Sequence, residues 1–307
     1  MITVLSLNTA MDRIEVVPCF RTGDVFRASQ SLPFAGGKGL NVARAVRHLD
    51  EGVRVVGFVG GPQAPAIGAA CTDMGIEQHW VSTAEESRTC LIVVDPNANV
   101  ETVVNEPGPH VTQAEVDKLS AAVRACLGEG DMLCISGSAP PGVPSDFYAD
   151  VLIAARHKHV RVLADVSGAL LREMWTFGVW ALAPNQAESR EALGFGDVPE
   201  DVARHLSSGA DHVLLTLGAS GVIYGHCGAA RHLFPPAVPT VNAVGSGDAF
   251  VAGFAVGIER GYEPLEAVRL AMACGASNAQ HLEPGVGGSE EIERLMGGVT
   301  MREIRER

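Results

Sequence analysis

Residues 245 to 248, Gly-Ser-Gly-Asp, stand directly before the apolar run AFVAGFAVGIE. A run that is apolar on nearly every face predicts a buried helix. A buried helix start leaves backbone N–H groups without partners and carries partial positive charge. Glycines let a backbone close on an anion. Gly245, Ser246 and Gly247 are therefore candidate anion donors, and Asp248 is a candidate acceptor of a proton from a hydroxyl. An ordinary aspartate at a helix start explains the same residues. AGGKGLN, residues 35 to 41, is a second glycine turn feeding a helix, and Lys38 and Asn41 share one of its faces. A lysine there opposes the helix dipole, which suits an anionic ligand; a solvated lysine in a tight turn is the plain alternative. Neither turn is a Walker P-loop, and no dinucleotide GxGxxG follows a strand. Asn185 and Glu188 in PNQAE can orient water on Mg²⁺, or simply cap a helix. The ten histidines form no HExxH or His/Cys cluster, which argues against zinc.

These residues need a frame to bring them together. ITVLSL (2 to 7), VRVVGFVG (53 to 60), DMLCISGS (131 to 138), VRVLADVSG, WALAPNQAE and HVLLTLGASGVIYG each read as buried strands running into polar turns. TCLIVVD and ETVVN flank PNAN as a hairpin, and residues 14 to 34 carry short alternating pieces that suit a small exposed sheet. Leu40, Ala43, Val46 and Leu49 recur at near-helical spacing, so an amphipathic helix starts near Lys38 with Arg44, Arg47 and His48 off its apolar face. PSDFYADVLIAARHKH reads as a helix with Ser145 at its cap, and residues 245 to 282 as two packed helices. Strands alternating with helices predict an α/β fold with a doubly wound, mostly parallel sheet. Ligands of such sheets bind beyond the carboxyl ends of the strands. Ser136, Ser138, Asp165, Asn185 and the 245–248 turn fall at those ends. The expected organisation is one domain over residues 1–307, with a small β lid from about 11–34 and 88–106.

The bulk properties narrow the class further. With 307 residues, 47% hydrophobic and 19% charged, the chain can bury a large core. The net charge of -13 disfavours nonspecific binding to nucleic acid or an anionic membrane, so an anionic ligand needs clustered local cations. Seven cysteines without a CxxC pair are expected to be reduced, mostly buried thiols. The N-terminal stretch lacks a charged n-region and a small-residue cleavage site, and a cytoplasmic protein without a membrane span is expected.

In this order the motifs resemble the phosphofructokinase-B branch of the ribokinase-like carbohydrate kinases across almost the whole chain. AGGKGLNVARAV is similar to the first signature of that family and NAVGSGDAFVAGF to the second, with SGSAPPGVP, DVSG, PNQAE and LGASG between them. The resemblance implies a three-layer ribokinase-like fold with a β lid and ATP-dependent, Mg²⁺-assisted phosphorylation of a sugar hydroxyl. It implies Asp248 as catalytic base, and Gly245, Ser246 and Gly247 as the anion hole. Asp12, Gly36, Gly37, Asn41 and Ser138 would face the sugar. Asn185 and Glu188 would support Mg²⁺ through water, Thr216, Gly218 and Gly221 would border ATP, and Asn278 would lie near the adenine.

NTAMD, FRAS, GGKG, ESRTC and TVVNEPGP resemble the hexose-phosphate kinases of this branch, of the 1-phosphofructokinase and tagatose-6-phosphate kinase type. By that resemblance Arg27, Lys38 and Arg88 would hold the phosphate already on the acceptor, a ketohexose phosphate. Four residues depart from the pattern: Thr9 for Pro, Ala183 for Lys, Ala243 for Thr and Ser246 for Ala. Two alternatives stay open, a kinase of an unphosphorylated sugar or nucleoside, and a regulator that binds nucleotide and sugar phosphate without turnover. A homodimer through the lid would cover the exposed edges of its sheet.

Overall fold

Runs of Val, Ile and Leu without alternation make strands buried on both faces, as parallel sheets between helices require. Ile2–Ser6 is such a strand, buried at every position. The computed structural model describes residues 1–194 and 198–304. In chain order the strands are β1 (Ile2–Ser6), β2 (Ala10–Val16), β3 (Gln30–Gly36), β4 (Val53–Gly60), β5 (Glu77–Thr83), β6 (Arg88–Asp95), β7 (Val100–Asn105), β8 (Met132–Ser136), β9 (Arg161–Asp165), β10 (Val179–Leu182), β11 (Ala210–Thr216), β12 (Val222–His226), β13 (Ala229–Phe234) and β14 (Thr300–Glu303). The helices are α1 (Lys38–His48), α2 (Ala64–Asp73), α3 (Gln113–Cys126), α4 (Phe147–His157), α5 (Gly168–Phe177), α6 (Gln186–Leu193), α7 (Pro199–Leu206), α8 (Ser246–Glu259), α9 (Pro264–Ala279) and α10 (Ser289–Gly297).

The large sheet has the order β14-β13-β12-β11-β10-β9-β8-β1-β4-β5. From β5 to β11 every pairing is parallel, and β12, β13 and β14 close that end antiparallel. Alternate residues of β1 feed opposite cores: Ile2 and Val4 join the apolar cluster of α1, α2, α8, α9 and α10, while Leu5 joins that of α3, α4, α5 and α7. This is the expected three-layer α/β fold, with the sheet as its middle layer. At β1 the order turns, with β4 on one side and β8 on the other, so helices leave in both directions and a crevice opens at the strand ends.

A second sheet, β3-β2-β6-β7, rises from that crevice. Its buried residues Ile14, Ile92 and Val94 pack with Val244 and Leu282, beside the 245–248 turn. The same local rules explain two departures from the sequence reading. Helix α1 is buried nearly all round, Asn41 and Arg44 included, because β3, α8 and the large sheet enclose it. Helix α4 begins at Phe147 after a turn in which the Phe147 N–H reaches the Pro144 carbonyl, so Ser145 is not its cap. Helix α3 adds an element beyond the sequence reading, and Thr112 and Glu115 form a reciprocal capping box at its start. Of the free cysteines, Cys71, Cys90, Cys126, Cys134 and Cys274 are buried, and Cys19 and Cys227 are exposed. No helix among the described residues is long and apolar enough to cross a membrane.

Candidate active site

The two glycine turns meet at the C-terminal edge of the large sheet. In the first, Gly37 precedes α1 with φ +85, a conformation that favours glycine, and its N–H donates to Asp12 Oδ2 at 3.0 Å. Gly36 has no room for a side chain: a Cβ there would lie 2.1 Å from Asp12 Oδ2. Asp12 is buried, and its Oδ1 has no hydrogen-bond partner. Burial raises its carboxyl above the usual range, against the pull of the Gly37 N–H. Nearby, Asn8 Nδ2 donates to Ser138 Oγ and to the Pro107 carbonyl, and Asn8 Oδ1 is likewise buried without a partner. Two buried acceptors without a partner, on residues that flank the Gly37 turn, suit a ligand that brings hydroxyl donors.

Lys38, the first residue of α1, reaches over the strand ends. Its Nζ lies 3.2 Å from Asp165 Oδ2 and 3.8 Å from Glu188 Oε1, and its side chain is 42% exposed. Asp165 ends β9 and also accepts from Ser136 Oγ at 3.0 Å. Asp165 is the main reason that Lys38 stays protonated above the ordinary lysine range despite its burial cost. Arg88, the first residue of β6, donates to the carbonyls of Asn8 and Glu106, which holds it beside Asn8. Arg27 does not join this group. It sits on the exposed loop between β2 and β3, and no hydrogen bond or ion pair among the described residues ties it to the site.

The second turn has the opposite dressing. Gly245, φ +86, precedes α8, and Asp248 sits in the first turn of that helix, 5% exposed. Asn41 Nδ2 donates to Asp248 Oδ2 at 2.9 Å, joining the two glycine turns directly. Burial pushes the Asp248 carboxyl up to about 7, with the Lys38 ammonium opposing and Asp165 assisting. The Ser246 N–H turns back to the Ala243 carbonyl, which corrects the expectation that it faces an anion. The N–H groups of Gly245, Gly247 and Asp248 have no acceptor among the described residues, and a Cβ on Gly247 would meet nothing within 4 Å. The first turn is closed by a carboxylate. The second is open.

Asn278, expected near a base, has its carboxamide committed elsewhere. Its Nδ2 donates to the Val244 carbonyl and Ser246 Oγ, its Oδ1 accepts from the Gly285 N–H, and the residue is 1% exposed. It clamps the second turn. Asn185 and Glu188 form a full capping box on α6, with Asn185 Oδ1 accepting from the Glu188 N–H at 2.8 Å and Glu188 Oε2 from the Asn185 N–H at 2.9 Å. Glu188 Oε1 stays directed at Lys38. Thr216 ends β11 beside Asn185, bridged to it in parallel. At the next turn a Cβ on Gly218 would meet open space, whereas one on Gly221 would lie 2.1 Å from the Leu233 carbonyl. Gly221 is thus required by packing on β13. Ala183 lies in the apolar cluster of the α8 side, and Lys38 supplies the cation at these strand ends.

Asn8 and Arg44 adjoin the site although the sequence reading assigns neither a role there, and Ser136, already placed at the strand ends, holds Asp165. Asn8 stood inside NTAMD, a polar residue just past an apolar strand, which is the signal that could have found it.

The profile of the pfkB family of carbohydrate kinases matches residues 1–291. The chain is 31% identical over 309 residues to 1-phosphofructokinase of Rhodobacter capsulatus, covering 99% of this chain and 98% of that one. It is 28% identical over 312 residues to tagatose-6-phosphate kinase of Staphylococcus epidermidis, covering 99% and 100%. Among solved structures it is similar to phosphofructokinase-2 of Escherichia coli in complex with fructose-6-phosphate, with a TM-score of 0.88 at 23% identity, over 96% of this chain and 98% of that one. At that identity the likeness is one of fold.

Proposed function

The chain belongs to the pfkB family of carbohydrate kinases, and from that premise we propose that it transfers the γ-phosphoryl of Mg-ATP to a hydroxyl of a ketohexose phosphate. The observation that carries this reading is the buried Asp248 carboxylate, held by Asn41 at the open N-terminus of α8 and within the field of Lys38. Fructose 1-phosphate, tagatose 6-phosphate and fructose 6-phosphate are the acceptors to test first.

In this reading the acceptor sugar fills the cleft between the two sheets. Asp12 Oδ1 and Asn8 Oδ1 accept its hydroxyl protons, which satisfies both buried oxygens. Gly37 and Ser138 border it, and Lys38 and Arg88 are the cations available to its phosphate. Asp248 takes the proton of the attacking hydroxyl, as a base whose pKa near the working pH serves best. The N–H groups of Gly245, Gly247 and Asp248 hold the charge on the transferring phosphoryl. Thr216 and Gly218 border the nucleotide. The donor set near Lys38 is all oxygen, from Asp165, Glu188 and Asn185, and it forms no dedicated cage among the described residues. That chemistry fits Mg²⁺, which keeps most of its water and rides on phosphates. When bound, the ion would neutralise phosphate charge during in-line transfer.

A coupled ADP-release assay with Mg-ATP, run over the three ketose phosphates and over bare fructose and ribose, tests the reading. Preference for a phosphorylated ketose supports it. Preference for a bare sugar overturns the acceptor class, and the exposed position of Arg27 is the observation that favours that outcome. Arg88→Ala is expected to raise the acceptor KM about tenfold, as loss of one charged phosphate contact should; Arg27→Ala on its exposed loop is expected to change it less. An Arg88→Ala enzyme with unchanged KM would remove the phosphate-binding role. The second sheet also exposes Val100, Val103 and Val104 on its edge strand β7, and a homodimer through this sheet is part of the proposal. A monomer by light scattering at micromolar concentration would remove it.

A further inference from the structure

Arg44 is only 8% exposed, an uncommon place for a permanently charged side chain. Its Nη1 donates to Asn41 Oδ1 at 2.9 Å, and Asn41 Nδ2 donates to Asp248 Oδ2 at 2.9 Å. The other arm of the fork donates to the Ala35 carbonyl of β3, and the guanidinium lies over the Phe34 ring, 5.2 Å from its centroid. Backbone, ring and amide together leave the guanidinium one orientation.

A carboxamide has one accepting end and one donating end, and a guanidinium has donors only. Asn41 can therefore offer Arg44 only its oxygen, and its NH₂ must point the other way. We propose that Arg44 is a positioning residue for phosphoryl transfer: it locks the Asn41 carboxamide so that a donor faces the Asp248 carboxylate. The inference rests on Asp248 as the base. Without Arg44 the amide is free to turn over, and an oxygen facing Asp248 is tolerated only when the carboxyl carries its proton. The turned amide thus favours the form of Asp248 that cannot act as a base. Other charges bear on Asp248 as well: Lys38 of α1 favours its ionised form, while Asp165 of β9 and Asp12 of β2 oppose it. Arg44 itself lies within the field of Asp248, Asp12 and Glu283. None of these sets the direction of the amide.

A residue that merely packs α1 against β3 would lower stability and leave the pH profile where it was. The experiment therefore reads kcat/KM against pH, together with a double-mutant cycle. Arg44→Met is expected to lower kcat about tenfold and to move the acid limb upward by roughly half to one pH unit, the size of a lost charge-favouring hydrogen bond. In an Asn41→Ala background there is no amide to orient, so the same change is expected to cost less than about twofold. Arg44→Lys keeps the charge but loses the planar fork, and is expected to move the limb the same way by less. A folded Arg44→Met enzyme with the wild-type limb, or with an equal loss in both backgrounds, overturns the proposal. If neither Arg44 variant folds, Asn41→Asp keeps an acceptor for Arg44 while turning an oxygen on Asp248. A limb raised by about one unit or more then supports the chain of contacts, and an unmoved limb overturns it. Asp248→Asn is measured alongside. Near-normal turnover in that variant would sink the assignment of the base, a different failure from an unmoved limb.

Discussion

The turns before α1 and α8 are built alike and finished differently. Each has a glycine at φ near +85 just before the helix, φ +85 at Gly37 and φ +86 at Gly245, and neither has a side-chain cap. In the first, a protein carboxylate, Asp12, already occupies the Gly37 N–H, and Lys38 supplies a cation. In the second, N–H groups lie open and an aspartate stands among them. The pair teaches that a glycine turn at a helix start is only a socket. What surrounds it decides whether it holds the protein's own anion or a ligand's.

The largest break in this comparison is Asp248→Asn, which leaves the second turn its shape and removes the carboxylate proposed as its base. It is expected to lower kcat about 10³-fold or more in the ADP-release assay, and near-normal turnover would end the reading of α8 as the reactive helix. Next comes Lys38→Met, which strips the first turn of its charge. A fall of about 10- to 10²-fold in kcat/KM is expected, as loss of a charged contact to the acceptor phosphate should give; a change confined to thermal stability would make Lys38 a structural partner of Asp165.

The glycines sharpen the contrast. Gly36→Ala puts a methyl against Asp12 and is expected to destabilise the fold by about 1–3 kcal/mol. Gly247→Ala meets open space, so its Tm should hold while turnover falls. Chemical denaturation and kinetics check the pair, and unchanged turnover in a stable Gly247→Ala enzyme would mean that the open turn is not a binding turn.

The smallest effect is on stability. The folded protein raises the Asp248 carboxyl from 3.8 to about 7, so it holds this proton more tightly than the unfolded chain does. Its stabilising contribution is complete below about pH 3.8 and is lost as pH rises through about 7. Activity is expected to run the other way, rising through the same range as the proposed base ionises. Asp248→Asn is therefore expected to raise Tm by about a few degrees at pH 8, and by less at pH 5. Equal shifts at both values would place the Asp248 titration elsewhere.

Much of the fold was legible because strands buried on both faces are unbroken apolar runs, and their polar ends mark the edge where ligands bind. Asp248, Lys38 and Asn41 were legible for the same reason: each sits at a glycine break before an apolar helix. Arg44 was not. Helical periodicity assigns it to a polar face, and only the enclosure of α1 by β3 and α8 turns that face inward. Asn278 differs in the opposite sense, because an asparagine in the last turn of an apolar helix looks the same in sequence whether it meets a base or clamps a turn, and here its carboxamide clamps the turn. Asn185 and Glu188 carried both readings at once, and the capping box is the one the geometry displays.

The sequence by itself determined the alternation of strands and helices, the two glycine sockets and the identity of the groups that titrate, since these follow from local periodicity and residue chemistry. Tertiary structure alone decided which socket is closed, which arginine faces the site, and how far burial moves the Asp248 proton. Those outcomes depend on contacts between segments far apart in the chain, such as Asn41 with Asp248 and Lys38 with Asp165, and on the water their packing excludes.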